Sequence, residues 1–212
     1  VDISPAAVQQ CLTRLLPTKG LELDSFIGDY AEFRSKPGRD GRLFLFLGSN
    51  IGNYEPEQAL KLLSRFKAMM SPKDLLFIGF DKKKDITKLT AAYNDAAGFT
   101  REFNFNLLDR MNNELGAQFN KEFFSHHGIY NPLIGAMQSF LVSNKSQRIN
   151  FELFQSSFDF DLGEAIHVEN SYKYSDNDIR RLAESSGFSC EANLEDEKYF
   201  FTDSIGKVKE MI

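Results

Sequence analysis

The sequence predicts an α/β fold, a sheet with helices on its faces that is interrupted by an inserted α+β lobe. Three observations lead there. Leu43-Phe44-Leu45-Phe46-Leu47 and Leu75-Leu76-Phe77-Ile78 are apolar at every position, the pattern of strands buried on both faces. Segments of helical periodicity alternate with strands as far as Asp81, the order of a doubly wound sheet. Beyond residue 84 the chain changes to helices followed by a strand meander, and near residue 174 it changes back.

Taken in order, Val1-Asp2-Ile3-Ser4-Pro5 reads as the end of a strand running into a helix. Ser4 suits the N-cap, Pro5 the first helical position, and Val8, Leu12 and Leu15 recur at helical spacing. So abrupt an opening predicts that a segment upstream has been removed. After the break from Pro17 to Gly20, residues 21–28 read as a short strand ending at Gly28-Asp29-Tyr30. Glu55 and Pro56 start the helix behind the Leu43 run, and Ala59, Leu63, Phe66 and Met70 form its stripe until Ser71-Pro72 stops it. Lys82-Lys83-Lys84 reads as a solvated edge.

Residues 85–116 read as helices carrying Ile86, Leu89, Phe103, Leu107, Leu108 and Met111, and residues 122–174 as antiparallel strands. In one of these, residues 148–153, Ile149, Phe151 and Leu153 share a face. Ser175 caps a last helix, Gly187 takes its C′ position, and residues 188–194 and 198–202 form two closing antiparallel strands. The expected organisation is a discontinuous sheet domain, 1–84 and 174–212, with an inserted lobe, 85–173, over the strand ends.

The balance of 25 Lys+Arg against 30 Asp+Glu gives a net charge of -5, which argues against a nucleic-acid backbone or an anionic membrane as partner and leaves a small molecule as the expected ligand. No signal peptide is recognisable, and no apolar run nears the ~20 residues of a membrane span. Cys11 and Cys190 have no Cys-x-x-Cys spacing, and the adjacent His126 and His127 point to opposite strand faces without a carboxylate at ligand spacing. A soluble, cytoplasmic protein without a metal site is expected.

Ligands of open α/β sheets lie beyond the carboxyl ends of the strands. The residues there are Asp2, able to accept from both hydroxyls of a ribose; Asp29 and Tyr30, an acceptor and an aromatic face suited to an adenine; and Gly48-Ser49-Asn50-Ile51-Gly52-Asn53, whose small residues admit a ligand close to the backbone. Each alone also reads as a cap or a turn. Together on one sheet edge they favour a nucleoside ligand.

Five stretches then carry a family resemblance. Phe46-Leu47-Gly48-Ser49-Asn50-Ile51-Gly52-Asn53, Ala91-Ala92-Tyr93-Asn94-Asp95-Ala96-Ala97-Gly98-Phe99-Thr100, Phe105-Asn106-Leu107-Leu108, Asn113-Glu114-Leu115-Gly116-Ala117 and Glu169-Asn170-Ser171-Tyr172-Lys173-Tyr174 resemble the histidine-specific methyltransferases of ergothioneine biosynthesis. The resemblance covers nearly the whole chain. It implies a Rossmann-like class I methyltransferase sheet with a substrate-binding insertion, using S-adenosylmethionine to methylate the α-amino group of an amino acid, L-histidine.

Residue by residue, it implies that Asp2 holds the cofactor ribose, Asp29 and Tyr30 the adenine region, and that Gly48 lies beside the methyl group. Asn53 and Tyr93 would hold the α-amino-acid end of the substrate, Glu169 and Ser171 the imidazole, and Met137 the pocket wall. Glu169 and Ser171, two apart, share a face in any strand. The chain departs from the family pattern in having no first strand with a glycine-rich loop and no upstream tyrosine of the substrate pocket. Two readings stand beside this one: a related enzyme acting on another amine, such as an aromatic amino acid, and a degenerate non-catalytic domain. Oligomeric state is not legible.

Overall fold

The computed structural model describes residues 1–35 and 41–209; residues 36–40 and 210–212, assigned above to the sheet domain, lie outside the described residues. The main sheet has four strands in the order β1-β2-β9-β8: β1 (Leu43–Phe46), β2 (Leu75–Asp81), β9 (Phe201–Val208) and β8 (Phe188–Glu195). β1 and β2 pair in parallel, and β9 runs antiparallel to both β2 and β8. Between β1 and β2 lies α2 (Pro56–Met69), opened by a capping box in which Glu55 and Gln58 exchange side-chain and backbone bonds. Leu62, Leu63 and Phe66 of α2 meet Leu76, Ile78 and Phe80 of β2 and Ile179 of α5 (Asp176–Ser185) in the main core.

The intervening chain builds its own sheets. α3 (Ile86–Tyr93) and α4 (Phe99–Leu115) precede a three-stranded antiparallel sheet in the order β3-β4-β7, made of β3 (Phe124–Asn131), β4 (Ala136–Ser143) and β7 (Ala165–Tyr172). β5 (Gln147–Phe151) pairs with β6 (Ser156–Phe160). Phe105, Leu108, Phe119, Phe124, Leu141, Ile149 and Phe151 form a second core here, with edge-to-face contacts among its rings. Backbone bonds join the two sheets where β7 ends: the Tyr174 N–H donates to the Asp81 carbonyl at 3.0 Å and the Lys83 N–H to the Tyr174 carbonyl at 2.9 Å.

Ser4 and Pro5 start α1 (Pro5–Leu15) as expected, with Ser4 Oγ accepting the Ala7 N–H. Several other expectations fail. Residues 21–28 form no strand: their one ladder contact among the described residues is the parallel bridge of Ile27 with Asp2, too little pairing to hold a strand, and the strand expected to end at Asp2 is likewise reduced to that bridge. The β1 run is covered on one face alone: Phe46 is buried, whereas Leu43 and Leu45, on the opposite face, are 54% and 59% exposed. β9 starts at Phe201 because Asp196 Oδ1 takes the N–H groups of Phe200 and Phe201 at 2.6 and 2.8 Å, which makes the preceding residues a turn. Leu153 lies beyond β5 and is exposed. No helix of the described residues is long and apolar enough to cross a membrane.

The lysine run is the expected solvated edge at Lys83 alone, which is exposed. Lys82 is buried and pairs with Asp176 and Glu195, Lys83 pairs with Asp178, and Lys84 reaches Asp81 at 2.6 Å. Its acidic partners come from α5, β8 and the end of β2, so the run ties these elements together.

Candidate active site

The loop after β1 is folded back sharply. Gly48 and Ser49 are both left-handed, at φ 73° and 57°, and a short 3-10 turn follows over Asn50–Asn53. The left-handed region is uncommon for serine and persists when surroundings hold it. Here the holding groups are explicit: Asp81 donates its N–H to Ser49 Oγ at 2.9 Å, and Tyr174 its hydroxyl to the Ile51 carbonyl at 3.2 Å. Burial pushes the Tyr174 phenol well above its ordinary range, which keeps that hydroxyl a donor.

Gly52 lets this loop lie against the lobe. A Cβ at position 52 would stand 2.9 Å from the Tyr172 carbonyl oxygen and 3.7 Å from Ser171 Oγ. Gly52→Ala is therefore expected to push the loop from β7 and to cost about 1–3 kcal/mol, as overpacking does. Urea denaturation checks this, and an unchanged midpoint would show that the loop does not need the contact.

On the lobe side, register decides which side chains meet. Met137 pairs with Ser171 and Ser139 with Glu169, so these four side chains share one face of the β4–β7 ladder. Met137 and Ser139 are fully buried, and Ser139 Oγ donates to Glu169 Oε1 at 3.3 Å. Tyr93, the last residue of α3, covers Gly128 of β3, where a Cβ would come within 2.8 Å of the Tyr93 Cβ. Asn94 fixes that approach by bonding both the N–H and the carbonyl of Gly128 at 2.8 Å. Lys173 then joins Tyr93 to Ser171, donating to each hydroxyl at 2.9 Å.

A second group comes from the N-terminal segments. Asp2 Oδ1 accepts the Ser4 N–H at 2.8 Å and Asp29 Oδ1 the Ala31 N–H at 2.7 Å, so both carboxylates also serve their local turns. Burial, then Asp2, then Asp29 raise the Tyr30 phenol; burial, Asp29 and Tyr30 raise that of Tyr54. Asp29 and Asn53 line one open cavity of about 320 Å³ with Tyr54, Gln58, Lys61 and Arg65.

The sequence-predicted residues thus fall into two groups, Asp2, Asp29 and Tyr30 in one and Tyr93, Met137, Glu169 and Ser171 in the other, with Gly48 and Asn53 at the two ends of the 48–53 loop. Asn53 shares its cavity with Asp29 rather than with Tyr93. Sequence reasoning missed Asp81, Ser139 and Lys173. Asp81 was within its reach, since it ends β2 and the strand-end rule applies to it equally. Among the described residues no cluster of His, Cys, Asp and Glu could hold a metal ion.

Comparison with known proteins completes the picture. A family model described as a histidine-specific, SAM-dependent methyltransferase matches residues 1–207. The histidine N-alpha-methyltransferase of Mycobacterium tuberculosis is 36% identical over 156 residues, which cover 73% of this chain and 49% of that protein. The protein of the same name from Mycolicibacterium smegmatis is 36% identical over 168 residues, 78% of this chain and 52% of its own length. The chain thus spans about half the length of these relatives. An S-adenosylmethionine-dependent methyltransferase from Clostridium acetobutylicum superposes with a TM-score of 0.53 at 8% identity, over 98% of this chain and 73% of that one, which shows the class I methyltransferase fold. With its family model matched from end to end of the sheet and lobe just described, the chain belongs to the histidine-specific, SAM-dependent methyltransferase family.

Proposed function

We propose that this chain binds S-adenosylmethionine beyond the strand ends of its main sheet and transfers the methyl group to the α-amino nitrogen of L-histidine, a step of ergothioneine biosynthesis in the cytoplasm. The observation that carries the reading is the shared face of Met137, Glu169 and Ser171, joined to Tyr93 through Lys173 and brought against the 48–53 loop at Gly52. That arrangement suits an amino acid held beside the loop after β1.

The residues fit the cofactor. At Gly48 a Cβ would meet nothing nearer than Asn50 Nδ2 at 3.6 Å, so the backbone is open to close approach. Asp2 would hold the ribose, and Asp29 and Tyr30 the adenine region. The cofactor supplies a methyl group on a sulfonium, a leaving group that needs no protonation. The work of the chain is then alignment and the binding of a neutral amine. Tyr93 would hold the α-amino-acid end, with Asn53 reaching it from the cavity shared with Asp29, and Glu169 and Ser171 the imidazole. No general base is assigned, because the α-ammonium can lose its proton to water before transfer. In this reading residues 1–84 and 174–212 are the cofactor domain and residues 85–173 the substrate lobe, a division supported by their separate sheets.

Incubating the full chain with S-adenosylmethionine and L-histidine and weighing the product tests this; mass gains in methyl steps are expected, and unmodified histidine beside methylated phenylalanine would move the substrate to another amine. Asp2→Ala should weaken the demethylated cofactor about 10-fold, the loss of one charged acceptor, and histidine much less. Calorimetric titration checks this, and an unchanged cofactor dissociation constant counts against Asp2 as the ribose ligand.

A further inference from the structure

Lys173 follows β7 directly, and its ammonium stands where the sheet, the lobe strand and α3 converge. The side chain is 1% exposed, and Nζ reaches Asp81 Oδ2 at 2.8 Å. It also donates to Tyr93 Oη and Ser171 Oγ, each at 2.9 Å. An ammonium carries three hydrogens and no lone pair, so these three partners saturate it. Asp81 shares its carboxylate between Lys173 and Lys84, and through the Asp81 N–H on Ser49 Oγ the group is tied to the loop after β1.

The consequence lies in the two hydroxyls. Because Lys173 cannot accept, Tyr93 and Ser171 must each accept from it, and each O–H is turned away from the ammonium toward whatever lies on its other side. Both are thereby presented as donors. Glu169 is set the opposite way: it accepts from Ser139 Oγ at 3.3 Å and, as a carboxylate, has only acceptor capacity to offer.

We propose that Lys173 is a positioning residue that fixes the hydroxyls of Tyr93 and Ser171 as donors and so selects ligand acceptors: a carboxylate at Tyr93, and at Ser171 the unprotonated ring nitrogen of a neutral imidazole whose N–H faces Glu169. This rests on the histidine reading above. A doubly protonated imidazolium presents no lone pair to Ser171, and an amino acid without a ring acceptor leaves that hydroxyl unpaired. Discrimination of this kind, by a buried polar group left without its partner, is stronger than apolar shape provides.

A mutant cycle on the full chain, loaded with the demethylated cofactor and titrated calorimetrically with L-histidine, tests it. Lys173→Met should weaken histidine at least about 10-fold, and Tyr93→Phe/Ser171→Ala about 10- to 100-fold. If the lysine acts through those hydroxyls, the triple variant should bind within about 3-fold of the double, because groups acting as a unit are not additive. Losses that multiply would overturn the proposal and leave Lys173 a structural residue. Should Lys173→Met fail to fold, the unaltered protein still decides: the slowly exchanging lysine ammonium seen by ¹⁵N NMR should shift when histidine is added, and an unmoved signal overturns the proposal. Wild-type protein that holds the cofactor but does not bind histidine would instead overturn the substrate reading, and the selection with it.

Discussion

Asp74→Ala is expected to destabilise the fold by about 3–5 kcal/mol, the cost of breaking a buried ion pair by removing one partner. Asp74 is 0% exposed, and its carboxylate gathers four donors: the Arg42 and Ser71 N–H groups at 2.7 Å each, Arg42 Nε at 3.2 Å and Arg42 Nη2 at 2.7 Å. Arg42 precedes β1 and Asp74 precedes β2, so the pair clamps the starts of the two parallel strands whose far ends carry Gly48 and Asp81. Alanine strands two backbone donors, while the guanidinium, whose side chain is 27% exposed, keeps the Met69 carbonyl at 2.7 Å and Ser35 Oγ at 3.2 Å, which places the cost toward the lower end of the range. A loss near 3 kcal/mol corresponds to a melting temperature roughly 6–12 °C lower for a chain of this size.

The pH dependence follows from the same geometry. The Arg42 bond holds the Asp74 carboxyl well below the usual carboxylate range, outweighing the opposing effect of burial. A depressed folded pKa contributes stability that is complete above the unfolded value of about 4 and is lost as pH falls below it toward the folded value. Wild type and Asp74→Ala should therefore differ most at neutral pH and converge in acid. Thermal denaturation at a series of pH values checks this; a gap that persists undiminished at the lowest pH would mean that lost packing, not the ion pair, sets the cost.

None of that clamp is legible in the sequence, because Arg42 and Asp74 stand 32 residues apart and neither breaks a local pattern. What is legible is what local physics decides. Ser4-Pro5, Glu55-Pro56 and Ser175 start helices because a cap needs only its own neighbours, and the 48–53 loop is found because small residues after an apolar run mark a strand end. An apolar run reports that its side chains avoid water but not what covers them, which is why β1 is read as sandwiched while Leu43 and Leu45 are exposed. Charge runs fail for a related reason: Lys82 looks solvated until α5 and β8 bring Asp176 and Glu195 to it. The hub at Lys173 is hidden most deeply, since its partner Tyr93 is 80 residues away and a lysine after a strand looks like a surface residue. Family resemblance supplies Met137, Glu169 and Ser171; register explains why Met137 meets Ser171 and why Ser139 accompanies Glu169.

Glu169 bears the second large expectation. In the histidine reading its carboxylate accepts the imidazole N–H, a charge-assisted bond, and Glu169→Ala should weaken histidine by about 1.5–3 kcal/mol, or roughly 10- to 100-fold. Bulky apolar amino acids should lose much less, because they have no N–H for that oxygen, and removing the acceptor lowers the cost of seating them. The quantity to measure is the ratio of methyl transfer to histidine and to leucine or phenylalanine in direct competition. One side effect must be separated: Ser139 Oγ, fully buried, donates to Glu169 Oε1 and loses its partner in the alanine variant. Glu169→Gln resolves this, since the amide oxygen still accepts from Ser139 while the charge is gone. A selectivity loss in both variants, smaller in glutamine, assigns the effect to the imidazole bond. If the alanine variant loses stability yet histidine keeps its full advantage, Glu169 serves Ser139 and the fold, and the imidazole is read elsewhere.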